Sequence, residues 1–226
     1  MMPLLRAIIA DDAARVTALL GQSLNLARQS LGNGATRQSA KDYFFEEIRH
    51  YLYEGDTPLH AAAAGHRTKI AQHLITVGAN IAARNRRGAT PLHYAVDGGP
   101  AVSTWNQPAQ VETIALLLDA GADPNALDKS GVAPLHRAVR QRCVRAVESL
   151  LRNGAAVRLK NKSGSTPLHL AVQNTGRGGT GSPELKELQK EIIRLLLKAG
   201  ASAKDKDGRG STPRESASSD WIRDLL

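Results

Sequence analysis

One four-residue word recurs along the chain at near-constant spacing. Thr-Pro-Leu-His stands at 57–60, 90–93 and 166–169, Ala-Pro-Leu-His at 133–136, and a worn copy, Thr-Pro-Arg-Glu, at 212–215. The starts lie 33, 43, 33 and 46 residues apart. A second marker keeps the same rhythm: Gly-Ala-Asn at 78–80, Gly-Ala-Asp at 121–123, Gly-Ala-Ala at 154–156 and Gly-Ala-Ser at 200–202. The period is 33, with about ten residues added in one unit and about thirteen in another. A fixed period of this size admits few architectures. Each unit must be one supersecondary element that buries its apolar face against its neighbours.

The residue types within a unit have local reasons. Thr57, Thr90 and Thr166 stand where an N-cap hydroxyl accepts a backbone N–H. Pro58, Pro91, Pro134 and Pro167 follow at the first helical position, where a missing N–H costs nothing. A second helix carries apolar residues at i, i+3, i+4: Ala71/Leu74/Ile75, Ile114/Leu117/Leu118, Val147/Leu150/Leu151 and Ile193/Leu196/Leu197. Gly78, Gly121, Gly154 and Gly200 end these helices as left-handed C′ residues. A short polar turn with Gly88, Gly131, Gly164 or Gly210 leads to the next Thr-Pro. Each unit reads as turn, helix, turn, helix.

These motifs, TPLHxA and a Gly-Ala-Asp nine residues ahead of Thr-Pro, resemble the ankyrin repeat over residues 57–217. The resemblance implies an all-α solenoid of helix-turn-helix units joined by short β-hairpin turns. As one domain, 1–226, it divides into core repeats at 57–89, 90–132, 133–165 and 166–211. Residues 4–26 read as a degenerate first repeat and 212–226 as a degenerate cap, as terminal units with one uncovered face should. The basic, single-cysteine chain with its inserts is similar to stand-alone bacterial ankyrin proteins.

Composition agrees. Hydrophobic residues make up 42% but aromatics only 4%, which suits thin layers of Leu, Ile, Val and Ala. The formal net charge of +9 favours acidic partners: nucleic acid, an anionic surface or an acidic protein. The one cysteine, Cys143, can form no intrachain disulfide. The N-terminal apolar run is broken at Arg6 and ends at Asp11 and Asp12, unlike a signal peptide. No stretch approaches the ~20 apolar residues of a membrane span. The expectation is a soluble cytoplasmic monomer.

Three segments depart from the period. In the inserted segment 27–55, KDYFFEEIRHYLY places Phe44, Ile48, Tyr51 and Leu52 on one face of an expected helix, and five of the eight aromatics fall within 43–53. That helix is expected as a lid or, secondarily, a docking surface. The segments 97–110 and 174–186 are rich in Gly and Pro and read as loops, the latter running into a helix near Pro183.

No catalytic or metal-binding constellation emerges. His60, His93, His136 and His169 each belong to a different repeat. Helix layers lie about 8–10 Å apart, whereas zinc ligands share one ion at about 2 Å. The resemblance makes these histidines structural hydrogen-bonding residues. His66 and His73 lack a third ligand nearby in sequence. The Gly-rich run 176–182 has no lysine ahead of Ser182 and no preceding strand, as a phosphate loop needs. Asp11/Asp12 and Glu46/Glu47 are adjacent and do not face each other on a helix. Cys143, between Arg142 and Arg145, has no histidine partner in sequence reach. No enzyme activity, cofactor or metal is expected.

The resemblance implies binding through hairpin tips and the exposed side of the first helices, which line a concave groove. The tips are Arg84, Arg86, Arg87 and Ala89; Leu127, Lys129, Ser130 and Val132; Lys160, Lys162, Ser163 and Ser165; and Lys206, Gly208, Arg209 and Ser211. First-helix positions add Asp97, Arg140, Gln141, Gln173 and Asn174. Every tip is basic and only Asp97 opposes. An acidic protein partner is expected. Nucleic acid is the alternative, disfavoured because the groove lacks aromatics for base stacking. Trp105 and Arg177, one on each later insert, are expected as an auxiliary site if those loops meet.

Overall fold

The computed structural model describes residues 1–99, 105–173, 181–217 and 219–226. The chain expected as one domain divides by its internal contacts into two compact units. The first comprises Met1–Ala95 with Pro108–Asp123, the second Val96–Gln107 with Pro124–Leu226.

In the first unit, α1 (Met2–Ile9) and α2 (Ala13–Gln22) form a helix pair, with Asp12 capping α2 by accepting the Arg15 N–H at 2.8 Å. α1 buries Leu4, Leu5, Ile8 and Ile9, and α2 buries Val16 and Leu20. Two residue pairs, β1 (Phe44–Phe45) and β2 (His50–Tyr51), make a small antiparallel ladder. Next come α3 (Pro58–Ala64), α4 (Thr68–Thr76), α5 (Pro91–Ala95) and α6 (Gln107–Asp119), which begins at the last residue of the second unit's first segment. Every residue of α3 is buried, and it packs against α1, α4 and α5. Its run of alanines, 61–64, lets three neighbours approach one short helix.

The second unit repeats the scheme with α7 (Pro134–Arg140), α8 (Val144–Arg152), α9 (Pro167–Ala171), α10 (Pro183–Lys198), α11 (Pro213–Ser216) and α12 (Asp220–Arg223). α7 packs on α8 and α9, and α10 on the same two. Leu135, Val147, Leu150, Leu168, Ile193 and Leu196 form its core.

The first helices are capped differently from the expectation. The N–H groups of Thr57, Thr90, Ala133 and Thr166 donate at 3.1–3.2 Å to Nδ1 of the histidine three residues on. The threonine hydroxyls meet the same Nδ1 at 2.8–3.0 Å instead of capping a backbone N–H. A backbone N–H can only donate, so Nδ1 is unprotonated and Nε2 carries the hydrogen. His60, His136 and His169 then donate from Nε2 to Ala89, Ser165 and Ser211 carbonyls at 3.1–3.2 Å. Each histidine thus ties the start of one helix to the next hairpin. Only at Thr212, where Glu215 replaces histidine, does the hydroxyl accept a backbone N–H, at 3.3 Å. The expected left-handed stops hold: φ is between +82° and +96° at Gly78, Gly121, Gly154 and Gly200.

Two expectations need correction. The segment 41–53 is not a helix. It forms short 3-10 turns at Lys41–Tyr43 and Glu46–Ile48 around the β1–β2 ladder, with Arg49 in the left-handed region. Only Ile48 and Leu52 of the supposed face are buried, and Tyr51 is exposed. Pairing with another part of the insert outcompetes the helix: Ala35 N–H donates to Leu52 O at 2.8 Å, Leu31 N–H to Asp56 O and Gly55 N–H to Leu31 O, both at 2.7 Å.

The other inserts are not wholly loops either. α6 and α10 have 13 and 16 residues, against 9 in α4 and α8, so 107–110 is helical, while 183–186 opens the helix expected near Pro183. The first helices of the same repeats, α5 and α9, have 5 residues each, against 7 in α3 and α7. A buried glutamine on the longer helix satisfies carbonyls where the shorter one ends. Gln110 Nε2 donates to Ala95 O at 3.3 Å, and Gln189 Nε2 to Ala171 O at 2.7 Å and Gln173 O at 3.0 Å. Of the remaining insert residues, 97–99, 105–106 and 181–182 are not helical, and 100–104 and 174–180, with Asn174 and Arg177, lie outside the described residues.

Candidate functional site

Every hairpin tip is built around one Asn or Asp. Asn85, Asp128, Asn161 and Asp207 each accept with Oδ1 from the N–H groups two and four residues on, at 2.8–3.1 Å. A backbone bond from the same residue to the carbonyl four residues on closes each tip, at 2.9–3.1 Å. This is an Asx turn extended by one bond. The turn fixes the backbone and leaves Arg86, Arg87, Lys129, Ser130, Lys162, Ser163 and Arg209 exposed between its ends, whereas Ala89, Val132 and Ser165, also expected as tip contacts, are buried.

In the second unit this arrangement spends acids and leaves cations. Asp128 organises its turn and also accepts from Arg137 Nη2 at 3.3 Å. Arg137 Nη1 reaches Asp97 at 3.1 Å, so the one acid expected to oppose the basic face is already neutralised. Asp207 organises the last tip, and the Arg209 N–H, followed by that of Ser211, holds its carboxyl below the usual carboxylate range. Asp205 forms a two-point pair with Arg158 at 2.9 and 2.5 Å, which lowers its carboxyl likewise. Lys160 Nζ donates to Lys206 O at 2.8 Å. Lys129, Arg140, Lys162 and Arg209 are exposed and make no side-chain hydrogen bond or ion pair among the described residues. Neighbouring tips are tied edge to edge, with Lys162 N–H donating to Ser130 O at 3.1 Å and Gly208 N–H to Ser163 O at 2.9 Å. Lys129, Lys162 and Arg209 therefore form a row spaced by one repeat, with Arg140 at the end of α7.

The first unit treats its tip differently. Arg84 donates to Gly88 O at 2.9 Å, within its own hairpin. Arg86 Nη2 donates to Ala35 O, and Arg87 Nη1 donates to the Tyr53 hydroxyl at 2.9 Å. Both guanidinium groups lie over the Tyr53 ring, at 5.6 and 4.6 Å from its centre. The Arg86 N–H also bonds Glu54 O at 2.8 Å. The end of the inserted segment thus occupies the place of a preceding hairpin. Gly55 has φ +84°, matching the tip glycines, and a Cβ there would lie 2.9 Å from Asn85 Cα.

A buried carboxylate holds this clasp. Asp56 is fully buried and accepts from Tyr53 N–H at 2.6 Å, Asn85 Nδ2 at 2.9 Å and Tyr94 hydroxyl at 3.0 Å. The residues at its place in later repeats are Ala89, Val132, Ser165 and Ser211, none of which is a carboxylate. Of the remaining sequence candidates, Trp105 is half-buried, with an indole N–H that meets no partner among the described residues. Cys143 is buried. Among the described residues no group of three His, Cys, Asp or Glu is placed to hold a metal.

Sequence reasoning missed Asn85, Asp128, Asn161 and Asp207, although an Asn or Asp five residues ahead of each later Thr/Ala-Pro repeats with the same intervals as the other markers. It also missed Asp56 and Tyr53, which no periodicity marks.

Comparison with known proteins fits this geometry. A family model for ankyrin repeats (three copies) matches residues 4–105 and again 101–207. The chain belongs to the ankyrin-repeat family, whose repeats are protein–protein interaction modules. It is 40% identical over 99 residues to mouse (Mus musculus) ankyrin repeat and SOCS box protein 16, covering 42% of this chain and 21% of that protein. It is 36% identical over 86 residues to chicken (Gallus gallus) NF-kappa-B inhibitor alpha, covering 37% and 26%. It is 27% identical over 132 residues to mouse Rabankyrin-5, covering 58% and 10%. The matches thus span between 10% and 26% of these relatives' own lengths. Among the described residues no helix is long and apolar enough to cross a membrane.

Proposed function

We propose that this chain is a non-catalytic recognition module that binds an acidic protein through the hairpin tips of its second unit. The carrying observation is the asymmetry of charge there. Asp97, Asp128, Asp205 and Asp207 are used up in turns and ion pairs, whereas Lys129, Arg140, Lys162 and Arg209 are exposed and unpaired among the described residues. An acidic surface would meet cations without first breaking internal pairs, and such charges steer encounter and fix register.

A labelled oligo-glutamate peptide tests this at about 50 mM and about 300 mM salt, between which the Debye length shrinks below the repeat spacing. Binding should weaken with salt. Lys129→Glu, Lys162→Glu and Arg209→Glu together should weaken it roughly tenfold or more, each reversal turning attraction into repulsion. The matched set Arg145→Glu, Arg152→Glu and Arg194→Glu, on exposed positions of the second helices, should leave most affinity intact. Equal losses from both sets leave only net charge and reject a defined surface. A duplex DNA that displaces the peptide at equal charge and physiological salt would put nucleic acid in the protein's place.

A further inference from the structure

From the packing of the inserted segment on the first hairpin, we infer that Tyr53, Arg87 and Arg86 form a carboxylate-binding clamp for an acidic side chain of the partner. The inference rests on the acidic-protein reading above and assigns it a second site, in the first unit.

The hydrogen-bond inventory at Tyr53 points to a ligand. Arg87 has no lone pair, so in the 2.9 Å contact the Tyr53 oxygen accepts. The phenolic O–H is then left to donate, and it meets no acceptor among the described residues. Arg87 uses one N–H of five in this contact. Arg86 uses one on the Ala35 carbonyl. The remaining guanidinium N–H groups have no partner among the described residues either. Two planar donor forks and one hydroxyl therefore converge over one ring, with all their spare capacity as donors. The complement is an oxyanion that accepts several bonds at once. A carboxylate fits, since two guanidinium N–H groups can grip its oxygens in parallel while the phenol adds a third bond.

The clamp is held ready without a ligand. Asp56 fixes the Tyr53 backbone from below by accepting its N–H at 2.6 Å and donating to its carbonyl at 3.0 Å. Asn85, which shapes the tip bearing both arginines, is bound to the same carboxylate. Gly34 brings the insert's other limb so close that a Cβ there would lie 2.2 Å from Glu54 N. A side chain fixed before binding loses less entropy on binding. Tyr53 and both arginines remain partly or fully exposed. Glu54 is the one acid adjoining Tyr53 in sequence, and its side chain makes no ion pair among the described residues. It tunes the clamp by opposing a second negative charge.

The test uses the full chain and the labelled oligo-glutamate peptide. Arg87→Gln should weaken binding roughly fivefold and Tyr53→Phe roughly two- to threefold, as expected for charge-assisted and neutral contacts to one anion. The double variant should lose no more than Arg87→Gln alone, because both side chains serve one carboxylate. A Tyr53→Phe affinity equal to the parent's, or fully additive losses, overturns the clamp. Phenylglyoxal modification of the unaltered chain gives a readout independent of any substitution. The peptide should slow reaction at Arg86 and Arg87 but not at Arg152, and equal rates at all three reject the site. Inorganic polyphosphate that protects these arginines better than the peptide at equal charge would replace carboxylate by phosphate. If the Lys129/Lys162/Arg209 reversals abolish peptide binding while Tyr53 and Arg87 changes do not, the clamp fails and the acidic-protein reading stands. A peptide that binds neither surface rejects both.

Discussion

The hairpin at 85–89 and those at 128–132, 161–165 and 207–211 share one turn and differ in what holds their basic residues. All four use an Asn or Asp that accepts two N–H groups. In the second unit the neighbour of each tip is another tip, and Lys129, Lys162 and Arg209 stay unpaired among the described residues. In the first unit the neighbour is the inserted segment, and Arg86 and Arg87 are drawn onto Ala35 and Tyr53. Repeat equivalence fixes the backbone of a tip. The chemistry its side chains present depends on the segment beside it. Two basic tips with the same motif can thus be an open row of charges in one place and a shaped clamp in another.

The largest expected effect separates the two regions most sharply. Asp56→Ala removes the acceptor shared by Tyr53 N–H, Asn85 Nδ2 and Tyr94 hydroxyl. Losing the one carboxylate that accepts all three bonds should cost about 4 kcal/mol. Asn161→Ala removes two bonds at a more exposed tip and should cost only about 1–2 kcal/mol. Urea unfolding of both variants checks the ratio. Equal costs would mean that Asp56 is one more turn organiser and that no separate clasp exists.

Next comes a pair expected not to differ. Leu59 and Leu168 occupy the same repeat position and are both fully buried. Each change to Ala should cost about 3 kcal/mol, the lost transfer energy plus a cavity. A markedly larger cost at Leu59 would show that the clasp has stiffened the layer beneath it. A loss below about 0.5 kcal/mol at either would place that leucine on the surface and break the repeat register.

This pair also marks what sequence could reveal. The repeat markers carried the fold, because Thr-Pro, the C′ glycines and the apolar triads act locally and recur. The histidines were assigned a structural role, yet their direction of bonding was not legible. It depends on how the ring is turned, with Nδ1 toward the Thr57 N–H and Nε2 toward the Ala89 carbonyl, which the order of residues does not reveal. The insert was misread for a deeper reason. Its 41–53 stretch has a helical apolar pattern, but residues 31–35 pair with 52–56, a contact no periodicity within 41–53 encodes. The same non-local pairing made Tyr53 and Asp56 invisible as site residues. Net charge announced a basic surface, whereas which cations remain free depended on Asp97, Asp128, Asp205 and Asp207 finding partners.

A smaller effect sharpens the comparison within the capping ladder. His60, His93 and His169 receive both a backbone N–H and a threonine hydroxyl at Nδ1. His136 receives only the Ala133 N–H, at 3.2 Å. Ala133→Thr should restore the second bond and stabilise the chain by about 0.5–1 kcal/mol in thermal or urea unfolding. Destabilisation by more than about 1 kcal/mol would show that the layer at this buried position has no room for a β-branched side chain.

The smallest expected effect concerns the same histidine and is a change of slope with pH. Burial is the main cause that pushes the His136 pKa below its ordinary 6.5, with the Ser165 carbonyl acting the other way and Arg140 adding to the depression. The folded state therefore binds a proton less readily than the unfolded state. His136 contributes its full stability above pH 6.5 and loses it progressively as pH falls from there through the lowered folded value. The structural reason is plain. Protonation puts a hydrogen on Nδ1, where the Ala133 N–H already donates, and the helix start loses its acceptor. The stability advantage of the parent over His136→Gln should thus shrink between pH 7.5 and pH 5.5, about one unit either side of the ordinary histidine value. An advantage that stays constant or grows on acidification would mean that His136 is protonated without cost. The tautomer argument for the whole histidine ladder would then fail with it.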